Sequence, residues 1–123
     1  MKYLILIHSN PKSRAVWETM TDDQRMEFGR GHMRRTEELA ASGELVVSEG
    51  LPGPEASKWV IVRDGQTMTT DGPFPEVKEY VAGIYLVECD SIERAVEHAA
   101  KMPDAQYNEV EVRPVLDMSA WDL

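Results

Sequence analysis

Two segments of this chain read as β-strands that carry apolar side chains on both faces. Residues 3–7 read YLILI and residues 80–88 read YVAGIYLVE, so apolar side chains dominate both alternating sets of positions. An antiparallel sheet with one face in water should show one polar set instead. A sheet built from these strands therefore needs cover on both faces, and this requirement limits the folds open to the chain.

Capping signals predict two helices. Thr21, followed three residues later by Gln24, forms a capping box, and Gly43 suits the left-handed position after a helix that ends near residue 42. Ser91 is the expected cap of a second helix, and Pro103 ends it. The apolar stripe of that helix follows helical spacing and consists of Ile92, Ala95, Val96, Ala99 and Met102. The first helix is therefore long, and the second is short and amphipathic.

Alternation and turn signals predict the strands. Asp64 and Gly65 form a strong two-residue hairpin signal between two of them. Near the N-terminus, Ser13 is expected to cap only a short turn. The predicted strands cover residues 3–7, 45–47, 58–62, 66–70, 80–88 and 110–115.

This order of elements is typical of an α+β fold, a ferredoxin-like βαββαβ arrangement with an extra β-hairpin. Two helices can cover only one face of such a sheet, so the second apolar face needs another partner. The simplest partner is the same sheet of a second copy, which predicts a homodimer packed sheet to sheet. The alternative is a monomer whose hairpin and C-terminal tail fold over the open face.

Size and charge restrict the class of protein. The 123 residues suit one domain over residues 1–123, and the net charge of -9 argues against a nucleic-acid partner or an anionic membrane surface. The single cysteine excludes an internal disulfide and a multi-cysteine metal site. The apolar run near the N-terminus is too short for a signal peptide or a membrane span, so a cytoplasmic protein is expected.

His32 is the first candidate for chemistry. Helical periodicity places it on the same broad face as Phe28 and Leu39, opposite Glu27 and Arg34, so it should point toward the sheet. A histidine in that position needs a hydrogen-bond partner. One interpretation is a core histidine bonded to a backbone carbonyl. The other is an imidazole at a cleft edge, oriented by a carboxylate, that acts as a general acid or base.

The other histidines and the cysteine are weaker candidates. His98 lies about 120° from the apolar stripe of its helix, which predicts a surface residue. Three histidines far apart, without paired spacing, argue against a metal site. Cys89 adjoins Asp90 and has no basic neighbour in sequence, which disfavours a nucleophilic thiol.

Asp71 is the best carboxylate candidate for pairing with His32. It precedes Gly72 in a stretch interrupted by prolines, where a stiff loop can hold a side chain in one geometry. An ordinary Asx turn is the alternative. Glu76 and Lys78 follow, either as surface charges or as the lining of a pocket for an anionic or carbonyl substrate. His8, at the end of the first strand, is either a solvent-exposed residue or a further substrate-binding residue.

Residues 70–79, which read TDGPFPEVKE, and residues 83–87, which read GIYLV, resemble the signature of the YCII-related family in its DGPF-motif branch. The start of the chain, His32, residues 60–65 and residues 111–115 resemble the family as well. The likeness covers almost the whole chain. Pro75 and Val77 depart from the family pattern, in which Ala and Thr are more frequent, and His8 stands where an aromatic residue is usual.

The resemblance implies a ferredoxin-like fold that forms a dimeric α/β barrel. It also implies a site that pairs a helix histidine with an aspartate, and His32 and Asp71 fit those roles here. Related proteins include enzymes that act on small ring compounds by dehydrochlorination or lactone isomerisation. Some members of the branch are associated with extracytoplasmic-function sigma factors.

Together these observations predict a small dimeric protein with a proton-transfer site for a small cyclic or carbonyl substrate, of the lyase or isomerase type and without a cofactor. In this hypothesis His32 moves the proton, and Asp71 fixes its tautomer and stabilises its charged form. The alternative is a non-catalytic ligand-binding or regulatory module.

Overall fold

Six strands and three helices make up residues 1–72 and 78–121, the part of the chain described by a computed structural model. None of these helices combines the length and the apolar character needed to cross a membrane. Short 3₁₀ turns lie at Pro54–Ala56, Pro103–Gln106 and Met118–Ala120. The strands are β1 (Lys2–Ser9), β2 (Leu45–Gly50), β3 (Lys58–Arg63), β4 (Gln66–Asp71), β5 (Tyr80–Glu88) and β6 (Val110–Pro114), and the helices are α1 (Pro11–Thr19), α2 (Asp22–Ser42) and α3 (Ile92–Ala100).

The main sheet has four antiparallel strands in the order β2-β5-β1-β6. Strands β3 and β4 form a separate two-stranded sheet between β2 and β5 in the chain. With that hairpin set aside, the order is the one expected for a ferredoxin-like βαββαβ unit. The predicted α+β class with an extra hairpin is confirmed.

The long helix begins and ends where the sequence predicts. The Thr21 side chain accepts from the Gln24 backbone N–H, and the Gln24 side chain accepts from the Thr21 N–H. Gly43 ends the helix with φ of 81°, a left-handed conformation that costs glycine little. The short turn expected after β1 is instead the nine-residue helix α1, because Asn10 forms a capping box with Ser13 and Pro11 suits the first helical position.

The core lies between one face of the main sheet and the helices α2 and α3. Its sheet side is formed by alternate residues of β1 and β5, and its helix side includes Leu39 and Met102. By strand alternation, the opposite face carries the other set of β1 and β5 side chains. That set includes Leu4, Leu6 and Leu86, of which Leu6 is buried and the other two are half-buried.

The buried side of α3 differs from the predicted stripe. His98, expected at the surface, is buried together with Ala95 and Ala99. Ile92 and Val96, expected inside, are 39% and 50% exposed. The prediction failed because a charged partner from outside the helix, the Glu44 carboxylate, accepts a hydrogen bond from His98 and makes its burial tolerable.

The β3–β4 hairpin projects from the rest of the described chain. All twelve of its strand residues are exposed, including Trp59, Ile61 and Met68. Its turn has Asp64 and Gly65 at φ of 51° and 76°, as the sequence predicts for a two-residue turn. The monomeric alternative requires the hairpin to bury its side chains against the open sheet face of its own chain. In this structure it does not do so.

Candidate functional site

A cavity of about 510 Å³ opens between α2 and the ends of β2 and β5. Its wall is mostly apolar, with a few polar groups that converge on one end. This composition is typical of small-molecule sites. The lining residues are Ile7, Phe28, His32, Met33, Thr36, Glu37, Ser48, Glu49, Gly50, Ala82, Gly83, Tyr85 and Asp104.

His32 is the centre of the polar end of this cavity. Its Nε2 lies 2.6 Å from Oδ1 of Asp104, and its Nδ1 lies 2.7 Å from the hydroxyl of Tyr85. The His32 side chain is 23% exposed, whereas the Asp104 side chain is only 9% exposed and Tyr85 is buried. The imidazole is thus held from both ends by buried groups and faces the cavity from a fixed position.

The chemistry of these partners determines the tautomer of the neutral imidazole. A carboxylate only accepts hydrogen bonds, so Nε2 of His32 carries the proton that is donated to Asp104. Nδ1 then has a free lone pair and accepts from the Tyr85 hydroxyl. The backbone oxygen of His32 is a second, longer neighbour of the same hydroxyl at 3.4 Å.

Asp104 reaches His32 because a glycine lets the chain approach α2 closely. Gly31 is buried, and a Cβ on it would lie 2.7 Å from Cγ of Pro103. Pro103 begins the 3₁₀ turn that carries Asp104. The missing side chain of Gly31 therefore sets the distance between the helix that holds His32 and the turn that holds its carboxylate.

Two further hydroxyl groups lie next to Tyr85. Burial raises the pKa of the Tyr85 hydroxyl, and the side chains of Thr36 and Ser48 act against that shift. Thr36 donates to the backbone oxygen of His32 at 3.1 Å and lies 3.3 Å from the Ser48 hydroxyl. At neutral pH the Tyr85 hydroxyl therefore keeps its proton and can donate it to His32.

Aromatic side chains support the imidazole. The Phe28 ring meets the His32 ring edge to face at a centroid distance of 5.0 Å, and Trp17 packs on the far side of Phe28 at 5.6 Å. Tyr107 also packs near Phe28, and burial, followed by the charge of Asp104, raises its pKa to about 12. These rings leave little water around the Asp104–His32 pair, which strengthens their electrostatic interaction.

Within one chain, the structure does not bring Asp71 to His32. Asp71 lies at the end of β4, where its carboxylate binds the Lys58 ammonium at 2.7 Å and is 80% exposed. Both ring nitrogens of His32 have other partners, and Asp71 does not line the cavity beside it. The hairpin carries Asp71 outward into solvent, whereas Asp104 approaches α2 directly.

Two other predicted site residues, His8 and Lys78, lie apart from this cavity. His8 Nε2 lies 2.8 Å from Glu111, and His8 lines a different cavity of about 650 Å³ that also includes Glu79. The Lys78 side chain is exposed, and its backbone oxygen accepts from Arg14. Glu76 falls within residues 73–77, outside the described part of the chain.

Sequence reasoning missed Asp104, Tyr85 and Gly31. A signal for Tyr85 was available, because strand alternation places it among core residues and a buried phenol needs a hydrogen-bond partner. Asp104 directly follows the proline that ends the second helix, but no local pattern separates it from a surface carboxylate. Among the described residues, no group of three or more histidine, cysteine, aspartate or glutamate side chains is placed to hold a metal ion.

Comparisons with known proteins agree with this fold. The chain resembles uncharacterized protein R00369 of Rhizobium meliloti (strain 1021), with 28% identity over 124 residues that cover 94% of this chain and 92% of the relative. Its structure resembles that of 5-chloro-2-hydroxyhydroquinone dehydrochlorinase (TftG) from Burkholderia phenoliruptrix AC1100, solved in complex with 2,5-dihydroxybenzoquinone. That likeness has a TM-score of 0.54 and 15% identity and covers 94% of each chain, so it concerns the fold. The YCII-related domain matches residues 1–119, and the chain belongs to the YCII-related family.

Proposed function

We propose that this protein transfers protons to and from a small cyclic ligand that carries carbonyl or hydroxyl oxygens. The observation that carries the proposal is the position of His32, held between Asp104 and Tyr85 at the wall of an otherwise largely apolar cavity. A positioned imidazole with a carboxylate partner is a common general acid or base, and such groups contribute about 10² to 10⁴-fold to rates. Proton transfer of this kind suits a lyase- or isomerase-like reaction.

The cavity suits a flat ring. Its wall includes Phe28, Met33 and Ile7, and the Tyr85 hydroxyl of the same wall lies 2.7 Å from His32. A ring can pack on the apolar wall while its oxygen atoms reach the hydroxyl and imidazole groups. The structural neighbour is described as an enzyme for a chlorinated hydroxyhydroquinone, and we take this ligand class as the starting point for this chain.

We propose further that the protein works as a homodimer. Leu4, Leu6 and Leu86 form part of the sheet face opposite the helices, and the exposed apolar hairpin gives the chain a second surface to cover. A second copy covers both surfaces by one symmetric contact. Sedimentation velocity at micromolar concentration should show twice the chain mass. Leu86→Glu should shift the protein to monomer, whereas Val96→Glu on the outside of α3 should not.

The proton-transfer proposal is tested with 2,5-dihydroxybenzoquinone as the probe. In D₂O a ring carbon of the probe, which lies between an enolic C–OH and a carbonyl, takes up a deuteron to give a keto tautomer, and the sp³ C–H bond of that tautomer is acidified by the two adjacent carbonyls. Loss of this proton restores the dihydroxyquinone, so proton NMR reports the exchange. Wild-type protein should accelerate this exchange over buffer by about 10²-fold or more, and His32→Gln should return it to the buffer rate. Glu97→Gln, a change at an exposed residue of α3, is the matched surface control and should match wild type.

Two further variants test the alternative positions for the site. Asp71→Asn and His8→Gln should both retain exchange, because neither residue lines the His32 cavity. If one of these variants loses exchange while His32→Gln keeps it, the proton-transfer site lies at that residue and not at His32. Saturable binding of the probe without faster exchange would support the ligand-binding module instead of an enzyme.

A further inference from the structure

We infer that the Tyr85 hydroxyl, and not the His32 imidazole, is the group of this site that exchanges a proton with the bound ligand. The inference rests on the proposed function and deepens it. It makes Tyr85 the catalytic residue that touches the ligand, and it makes His32 and Asp104 the relay behind the hydroxyl.

The first argument is that both ring nitrogens of His32 already have hydrogen-bond partners. Nε2 of His32 donates to Asp104 at 2.6 Å, and Nδ1 accepts from Tyr85 at 2.7 Å. Both distances are short for hydrogen bonds that involve nitrogen. A ligand proton has no free nitrogen to reach while these two contacts last, so a direct transfer to His32 requires that one of them break.

The second argument is the position of the hydroxyl. Tyr85 lines the same cavity from β5, and its hydroxyl interacts with the side chains of Thr36 and Ser48, which also line the cavity. A tyrosine oxygen that donates its own proton still has lone pairs that can accept one. The hydroxyl can therefore accept a hydrogen bond from a ligand while it donates to His32.

The third argument is the state of the hydroxyl before reaction. Burial raises the pKa of Tyr85, so the group keeps its proton at neutral pH and does not act as a free phenolate. A neutral phenol is a weak base by itself. It becomes an effective one when His32 removes its proton at the same moment, as an adjacent base does for other hydroxyl groups.

The proposed step moves two protons along one line. A C–H or O–H proton of the ligand passes to the Tyr85 oxygen, and the bonding electron pair stays on the ligand as an enolate or phenolate. The original Tyr85 proton passes to Nδ1 of His32, which becomes an imidazolium paired with the Asp104 carboxylate. The negative charge gained by the ligand equals the positive charge gained by His32, and the reverse transfers return a proton to the ligand.

Tyr85→Phe separates this relay from direct action by His32. If Tyr85 carries the proton, the variant should lose about 10²-fold in the maximal exchange rate of 2,5-dihydroxybenzoquinone. Its dissociation constant for the probe should rise by no more than about tenfold, the cost of one hydrogen bond. If His32 acts directly, removal of the hydroxyl frees Nδ1 for the ligand, and exchange at or above the wild-type rate would overturn the inference.

Tyr3→Phe is the matched control. Tyr3 and Tyr85 are both 4% exposed and share the helix-covered side of the sheet, but the Tyr3 hydroxyl contacts Met1 and does not line the cavity. The control should keep the wild-type exchange rate. An equal loss in both variants would assign the effect to packing and overturn the inference.

A second measurement covers the case in which Tyr85→Phe does not fold. Replacement of Tyr85 by 3,5-difluorotyrosine keeps the hydroxyl and acidifies it, which should change the exchange rate if that hydroxyl carries the proton. An unchanged rate would overturn the inference. Failure of the wild-type protein to exchange the probe would instead overturn the proposed function, so the two failures are distinguishable.

Discussion

Two of the histidine–carboxylate pairs in the described part of the chain differ in what surrounds them. His32 pairs with Asp104 at 2.6 Å beside a cavity of about 510 Å³, and its second nitrogen meets a neutral hydroxyl. His98 pairs with Glu44 at 2.9 Å; His98 lines a cavity of about 110 Å³, and Glu44 lines a polar surface depression of about 620 Å³. Arg94 binds the same Glu44 carboxylate through two nitrogens.

A histidine–carboxylate pair alone therefore does not make a functional site. The Glu44 carboxylate is held by Arg94 first and by His98 second, and these contacts lower its pKa to about 2. Arg94 is always charged and neutralises this carboxylate, so the second pair contributes to stability. In the part of the chain that the structure describes, no arginine or lysine forms an ion pair with Asp104, and the His32–Asp104 pair lies at the wall of a mostly apolar cavity.

The largest effect is expected from a variant that breaks the His32–Asp104 pair and leaves the His98–Glu44 pair intact. Asp104→Asn removes the carboxylate charge that balances an imidazolium at His32. We expect a loss of about 10²-fold or more in the exchange of 2,5-dihydroxybenzoquinone, measured by proton NMR. Glu44→Gln is the corresponding change in the other pair and should keep the wild-type exchange rate. Equal losses in the two variants would remove the distinction between the pairs.

The next largest effect is expected from a substitution that moves Asp104 away from His32 without changing a polar group. Gly31→Ala places a methyl group 2.7 Å from Pro103, so the turn that carries Asp104 must move. We expect a loss of about 1–3 kcal/mol in the free energy of unfolding, typical of overpacking, together with slower exchange. Chemical denaturation and the exchange assay measure the two results.

Gly29→Ala is the control for that change. A Cβ at this position meets nothing within 4 Å, and alanine favours a helix interior over glycine. This variant should gain about 0.5–1 kcal/mol in stability and keep its exchange rate. If it also loses stability and slows exchange, the contact with Pro103 does not explain the effect of Gly31→Ala.

The smallest expected effect is a pH dependence that belongs to the second pair. Glu44 has a pKa of about 2 in the folded protein and 4.5 as its ordinary value. Because the folded value is depressed, the stabilisation is present above about pH 4.5 and is lost as the pH falls toward 2. Wild-type protein should lose stability as the pH falls through this window, and Glu44→Gln should lose about 1–2 kcal/mol less. Urea denaturation at several pH values measures both.

The sequence was most informative where a structure depends on neighbouring residues. Thr21 with Gln24 predicts the start of α2, and Asp64 with Gly65 predicts the hairpin turn, because both signals act over a few residues. The partners of His32 and His98 lie 72 and 54 residues away in the chain, and no local pattern connects them. Helical periodicity correctly placed His32 near the sheet, but it misplaced His98 because it counts apolar side chains and not the carboxylates that approach from elsewhere.

The position of β1 inside the main sheet has a consequence for folding. This strand is made first, but it pairs with β5 and β6, which come from the second half of the chain. Such non-local pairing closes long loops and slows folding relative to helical proteins of similar size. Tyr85 and Asp104 also come from that second half, so His32 leaves the ribosome well before its two partners. During synthesis, the candidate site can therefore form only after β5 and the turn that carries Asp104 have been made.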